Sequence, residues 1–133
     1  MITALMIVAE MGSVASDHRA RAEAFFAAFN ARDFAAMESL YSDAARLTSS
    51  DFCSPRGKGD IRRTYQKLFD GHPDVRDVID QIVVEGDSVA IHFHAISENA
   101  KMRLPLMTFL KFKDGLIVED DTIFDTGGAP CEN

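Results

Sequence analysis

Three acids, Glu119, Asp120 and Asp121, interrupt the last long apolar stretch of this chain, LPLMTFLKFKDGLIVEDDTIFD over residues 104–125. Acidic residues are depleted in strands, and a local composition that contradicts its surroundings is where a functional position is expected. A carboxylate held against apolar walls is suited to proton chemistry. Desolvation disfavours its charged form, its pKa climbs toward neutrality, and it becomes a general acid or base. Which acid turns inward depends on the register of a hairpin around Asp114-Gly115, a dipeptide suited to a tight turn because glycine accepts positive φ. A loop of Lys113-Asp114-Gly115 with a bulge pairs Phe112 with Leu116 and sets Thr108 opposite Asp120, so that Asp120, Thr122 and Phe124 face inward. A loop of Asp114-Gly115 alone pairs Thr108 with Asp121 and reverses the faces. The first register is preferred because Phe124 belongs inside, and it makes Asp120 the leading catalytic candidate.

Other residues capable of chemistry are weaker. His92 and His94 stand at i, i+2 on the strand face opposite Ile91 and Phe93, and such a pair can form part of a metal site. No third ligand falls nearby, so they are expected to face solvent or a partner subunit, with no metal and no cofactor. His72 reads as a helix-end residue and His18 as part of a first helical turn. Tyr41 and Tyr65 read as helix-packing residues, although Tyr65 can also turn its hydroxyl into a pocket. Cys53 and Cys131 fit neither a metal spacing nor a disulfide framework and read as reduced thiols.

The elements that position these residues follow from periodicity. Ser16 or Asp17 caps a helix running to about Asn30, with Ala22, Phe25, Phe26 and Phe29 at helical spacing. Asp33 caps a short second helix that buries Phe34, Met37, Leu40 and Tyr41. Ala45, Leu47 and Ser49 alternate with Arg46, Thr48 and Ser50 in a strand ending near Asp51. After a loop, Asp60 caps a third helix, with Ile61, Tyr65, Leu68 and Phe69 on one face, which Gly71 and Pro73 end. Residues 75–85 and 88–97 then read as strands around a Gly86-Asp87 turn, followed by the last hairpin. Helices first and strands afterwards imply an α+β layer architecture.

Composition narrows the function classes. With 133 residues the chain is expected to be one domain, residues 18–126, flanked by an N-terminal extension (1–17) and a C-terminal tail (127–133). Hydrophobic residues at 47% and charged residues at 26% exclude wholesale disorder. Ten Phe against two Tyr and no Trp leave large apolar side chains available to line a pocket. A net charge of −7 argues against nucleic acid as a partner. The basic run Arg56, Lys58, Arg62, Arg63 and Lys67 is interrupted by Asp60 and reads as a solvated helix face. Residues 2–9 are apolar but too few to span a bilayer, and no Lys or Arg precedes them. They read as a strand or extension packing on the domain or a partner, with no membrane partner and a cytoplasmic location as the default.

The phrases FFAAFNARDFAAMESLYSDAARL, GKGDIRRTYQKLF, VVEGDSVAIHF and FLKFKDGLIVEDDTIFD, in this order, resemble the nuclear transport factor 2-like superfamily, nearest its SnoaL-like and ketosteroid isomerase-like branch. The resemblance spans about residues 19–125 and gives the same inward register for Asp120. It implies a cone-shaped, curved, mostly antiparallel sheet wrapped around three N-terminal helices, a cystatin-like α+β barrel with a blind apolar pocket. A homodimer through the outer sheet face is implied as well, and the outward Met107 and Phe109 agree with it. On the faces read above, Phe25 and Phe29 of the first helix, Tyr65 and Phe69 of the third, and Leu47 and Ser49 of the first strand line that pocket. Ile91, Phe93, Leu106, Thr108, Leu110, Thr122 and Phe124 complete it from the later strands, around a small hydrophobic molecule. Asp51 lies near the expected mouth and is the second catalytic candidate.

Residue by residue, the known chemistries of the branch do not transfer. The tyrosine, aspartate and second acid of ketosteroid isomerases fall on Phe25, Ser49 and Thr108, and the histidine and aspartate of SnoaL-type cyclases on Thr108 and Thr122. None of these is an acid or base near neutral pH. Limonene epoxide hydrolases need an inward arginine and two inward aspartates, and the nearest arginine, Arg103, has no aspartate two residues on. Two readings remain: acid/base chemistry at Asp120 on an oxygen-bearing apolar ligand, with Thr108, Thr122 or Tyr65 holding a developing oxyanion, or a noncatalytic ligand-binding or dimerisation module.

Overall fold

The computed structural model describes the backbone of residues 2–133 and the side chains of residues 14–133. Its elements run α1 (Ile2–Asn30), α2 (Phe34–Ser39), β1 (Tyr41–Ser49), a short 3-10 turn (Lys58–Asp60), α3 (Ile61–Gly71), β2 (Arg76–Glu85), β3 (Ser88–Ser97), β4 (Met102–Lys113) and β5 (Leu116–Phe124). The strands form one curved sheet in the order β1-β5-β4-β3-β2, antiparallel throughout except for the parallel β1–β5 pair. Its inner face packs on the helices. Ala22, Phe25, Phe26 and Phe29 form the buried stripe of α1, and they meet Leu47, Ile91, Phe93 and Leu110 of the sheet in one core. This is the α+β architecture expected from helices preceding strands.

Three local departures matter for the site. First, α1 extends back to Ile2 instead of starting at Ser16 or Asp17, so residues 2–17 are helical and continuous with the first helix of the domain, not a strand. Residues 2–10 contain Ala, Leu, Met and Glu and no proline, so nothing breaks the turn sequence there. The packing expected of residues 1–11 lies outside the described residues.

Second, Tyr41 opens β1 and is not part of α2. The Asp33 side chain caps α2 by accepting from the Ala36 N–H at 3.0 Å, as the sequence indicates. Leu40 then closes the helix by donating to the Met37 carbonyl at 3.2 Å, while its own carbonyl accepts from the Ile117 N–H at 2.9 Å. One residue carries the chain from helix to sheet.

Third, the last hairpin pairs Lys113 with Leu116 across a two-residue loop, Asp114 at φ 51° and Gly115 at φ 79°. Positive φ at both positions is the twist that tight hairpins favour. The register then shifts: Phe112 pairs Ile117 but Lys111 pairs Glu119, so Val118 is an extra, bulged residue. Thr108 therefore faces Thr122, and Leu110 faces Asp120, correcting both registers considered from the sequence. The bulge reverses the parity set by the loop, and the net offset from the preferred register is an even number of residues, so Asp120, Thr122 and Phe124 keep the inner face.

The cysteines are not free thiols: Cys53 and Cys131 form a disulfide, with Cα atoms 5.0 Å apart. Their 78-residue separation carries no pairing signal. The backbone brings them together, because Glu132 donates its N–H to the Asp51 carbonyl at 2.7 Å and accepts from the Cys53 N–H at 2.9 Å. The tail thus lies back against the loop after β1.

Candidate functional site

Helices α1 and α3 and the inner sheet face enclose a cavity of about 490 Å³. Phe25, Phe26 and Phe29 project into it from α1 and Tyr65 and Leu68 from α3. The sheet contributes Leu47 and Ser49 from β1, Phe93 from β3, Leu106, Thr108 and Leu110 from β4, and Asp120, Thr122 and Phe124 from β5. Two residues expected to line the pocket do not. Phe69 lies behind the wall, its ring 5.0 Å from Phe29 and 3.9 Å beneath the Arg32 guanidinium. Ile91 is fully buried in the core, paired with Ile82 and Thr108 in neighbouring strands.

Asp120 is the least exposed carboxylate among the described residues, at 5%. Its Oδ2 accepts from the Tyr41 hydroxyl at 2.5 Å and its Oδ1 from the Thr122 hydroxyl at 3.3 Å. Thr122 in turn lies 2.7 Å from the Thr108 hydroxyl across the strand pair. With Asp120 ionised, the consistent arrangement has Thr108 donating to Thr122 and Thr122 to Asp120, which leaves the Thr108 oxygen able to accept from a ligand. Burial pushes Asp120 up to about 6, and the Tyr41 and Thr122 hydrogen bonds only partly oppose it. Burial, and then the field of Asp120, holds Tyr41 well above the ordinary tyrosine value, so Tyr41 remains a fixed donor. Its own position in the core, behind the lining residues, makes it a positioning group. The neighbouring acids go elsewhere: Asp121 accepts from Thr48 at 2.9 Å on the outside, and Glu119 lies 3.9 Å from Lys111.

Tyr65 is the open donor of the cavity. Its hydroxyl has no partner among the described residues, and no buried side-chain polar atom there lacks one, so the hydroxyl is accessible from the cavity. Its pKa is raised well above the ordinary value, first by burial and then by the negative fields of Asp120, Asp77 and Asp51. Three carboxylates thus share the cavity lining with one phenol. Asp51, the second catalytic candidate, lines the cavity and is held by the Ser49 hydroxyl at 2.6 Å.

Sequence reasoning missed several groups. Tyr41 was hidden by its position one residue past a helix. Asp77, half-buried on the cavity wall at the start of β2, is pushed by desolvation to about 7 despite the opposing field of Arg32. Asn30, at the end of α1, clamps its backbone through hydrogen bonds of 2.9 and 2.8 Å. Its signal, an acid at the first turn of a strand, is common and unspecific. Arg56 departs from the solvated basic face: it is buried at the mouth, 3.8 Å over the Phe52 ring, and donates to Thr64 at 2.9 Å and to the Glu132 carbonyl at 3.3 Å. Lys67 reaches the Glu132 carboxylate at 3.2 Å, so the disulfide-anchored tail forms part of the rim.

The histidines lie elsewhere. His18 is buried mid-helix, stacked on Phe112 with Nδ1 3.1 Å from the Gly86 carbonyl, and His72 caps the end of α3. His92 and His94 occupy the outer face, where Asp80 joins them, the third group that the strand pattern did not place.

A curved sheet closed by helices over a blind cavity is the nuclear transport factor 2-like fold. More narrowly, the sequence profile of the SnoaL-like domain matches residues 22–120, and the chain belongs to that family. No curated protein matches it. Among solved structures, a candidate ketosteroid isomerase from Kribbella flavida is similar at 21% identity and TM-score 0.72, covering 90% of this chain and 85% of its own. IdmH, a candidate polyketide cyclase from Streptomyces antibioticus, is similar at 20% identity and TM-score 0.76, covering 83% and 93%. A protein of unknown function with a cystatin-like fold from Methylobium petroleophilum is similar at 17% identity and TM-score 0.75, covering 90% and 80%. At these identities the likeness shows the fold.

Proposed function

We propose that this SnoaL-like domain binds a small, mostly apolar, oxygen-bearing molecule in its cavity and moves a proton on it with Asp120. One observation supports this reading above the others: a carboxylate on the cavity wall, buried, fixed by Tyr41 and raised to about 6, is mostly ionised near neutral pH yet basic enough to take a proton. In the step proposed, Asp120 removes a proton from carbon beside a ligand carbonyl. The carbon–hydrogen pair moves into the enolate, and the oxyanion accepts from Tyr65. Asp120 then returns the proton to the ligand at carbon or oxygen. The Thr122–Thr108 pair offers a route by which the proton on Asp120 can exchange with solvent or ligand.

The test is deuterium exchange at the α-carbons of β-tetralone, a bicyclic ketone of suitable size, followed by NMR in deuterium oxide. Exchange is expected above the buffer rate, rising with pH through about 6 as Asp120 ionises, and falling by about a hundredfold or more in Asp120→Asn. Binding of the ketone with exchange at the buffer rate overturns the catalytic step and leaves the noncatalytic binding module.

The outer face supports a second copy as partner. Phe109 is 46% exposed and Ile123 52%, and Met107, paired with Ile123, extends the same strip. Phe109→Asp is expected to shift a dimer to monomer in light scattering; an unchanged mass removes that interface. As to location, no helix among the described residues is long and apolar enough to cross a membrane. The cytoplasmic default stands against the Cys53–Cys131 disulfide, which favours an oxidising compartment. Thiol trapping in freshly lysed cells decides between them.

A further inference from the structure

The outer face of the β2–β3 hairpin carries a cluster that the cavity chemistry does not use. Strand β2 pairs Ile79 with Phe93 and then Gln81 with His92, so Asp80 is an extra residue at a bulge, and Asp80 and Gln81 together oppose His92. The bulge sets the Asp80 carboxylate beside two imidazoles that the strand period already places on one face, His92 and His94. The Asp80 Oδ2 lies 2.5 Å from the Nδ1 of His94 and 3.8 Å from the Nδ1 of His92. One ligand atom from each residue falls within 4.8 Å of the others.

A histidine–aspartate hydrogen bond accounts for His94 but not for His92, whose ring turns the same nitrogen to the same oxygen and has no other polar partner among the described residues. The two ring centroids lie 5.3 Å apart. Tetrahedral zinc, with bonds of about 2.0–2.1 Å to nitrogen and oxygen, sets its ligand atoms roughly 3.4 Å apart. The observed separations bracket that value, and the partly exposed side chains can reach it by small rotations. Two neutral imidazoles and one carboxylate suit a borderline ion such as zinc over magnesium or calcium, which prefer all-oxygen shells.

We infer that Asp80, His92 and His94 form a zinc-type divalent-metal site on the outer sheet face, with three protein ligands and an open position. The site is independent of the cavity. It adjoins the apolar strip, since His92 pairs with Met107 and Met107 with Ile123.

The test uses the full-length protein stripped with chelator and titrated with zinc against a chromophoric competitor, with magnesium as control. About one zinc per chain and no magnesium is expected. His92→Ala, His94→Ala and Asp80→Asn are each expected to weaken binding by more than about tenfold, since even the loss of an outer partner of a ligand costs that much, while Asp120→Asn leaves it unchanged. In the unaltered protein, zinc should move the imidazole NMR signals of His92 and His94 and leave those of His18 and His72 in place. Absence of zinc uptake, uptake that survives in the variants, or signals moving at His18 or His72 instead overturns the site, and the NMR arm holds even where a variant misfolds.

Discussion

Strand β3 has two sides, and the same residue type does different work on each. Inward, Ile91, Phe93 and Ala95 are buried, and the acid of that face with the lowest exposure, Asp120 at 5%, holds its oxygens against Tyr41 and Thr122. Outward, His92 and His94 alternate with them, and their acid, Asp80, is one-third exposed. Burial makes the inner carboxylate a weak acid able to carry protons near neutral pH. Solvent leaves the outer one free to share its oxygens with cations. A disulfide-anchored tail also forms part of the rim on the inner side.

Releasing that tail should have the largest effect on stability. Cys131→Ser removes a link across 78 residues, worth about 4 kcal/mol by loop entropy. Chemical denaturation should show this loss, and the unaltered protein in reductant should match the variant. Next, Ile91→Ala empties a fully buried position on the inner side and is expected to cost about 2–5 kcal/mol. Gln81→Ala, facing His92 on the outer side, should stay within about 0.5 kcal/mol.

The pH dependence separates the sides further. The folded-state pKa of Asp120 is raised from 3.8 to about 6, so folding favours its protonated form. That stability is fully present below pH 4 or so and is lost as pH rises through about 6, a change of at most about 3 kcal/mol. Asp77 acts in the same direction, between about pH 4 and 7, with its weight reduced because its side chain is only partly buried. Asp120→Asn should therefore reduce the fall in stability between pH 4 and 6 and leave the shallower fall due to Asp77, which runs on to about 7. An unchanged curve would show that Asp120 is not desolvated.

How much of this could be read from the sequence follows the same division. Period-two alternation assigned the faces of β3 and the hairpin arms, and glycine-bearing turns marked the strand ends, because those signals are local. Bulges are not local. Val118 and Asp80 each depend on a partner strand, so the register of Thr108 and the third group beside the histidines were out of reach. Tyr41 was missed because one residue carries the chain from α2 into β1, where helical and strand periods cannot be told apart. The disulfide depends on a tail folding back over the domain, which spacing alone does not encode. Asp120 was found because a conflict between composition and strand pattern survives any even shift of register.

The smallest and sharpest comparison removes one partner from each aspartate. Tyr41→Phe takes a buried donor from Asp120 and is expected to cost about 1–3 kcal/mol. The Tyr41 hydrogen bond lowers the Asp120 pKa, so its loss should also move the midpoint of ketone exchange upward from about 6, even though Tyr41 never touches the ligand. His94→Ala, in metal-free protein, takes the closest partner from Asp80, but water reaches that carboxylate and the cost should not exceed about 1 kcal/mol. With zinc present the ranking should reverse in ligand affinity, since His94 then holds a metal while Tyr41 does not. Equal costs for the two substitutions in the absence of metal would mean that the inner side is wetter than its geometry implies, and the proton chemistry assigned to Asp120 would lose its physical basis.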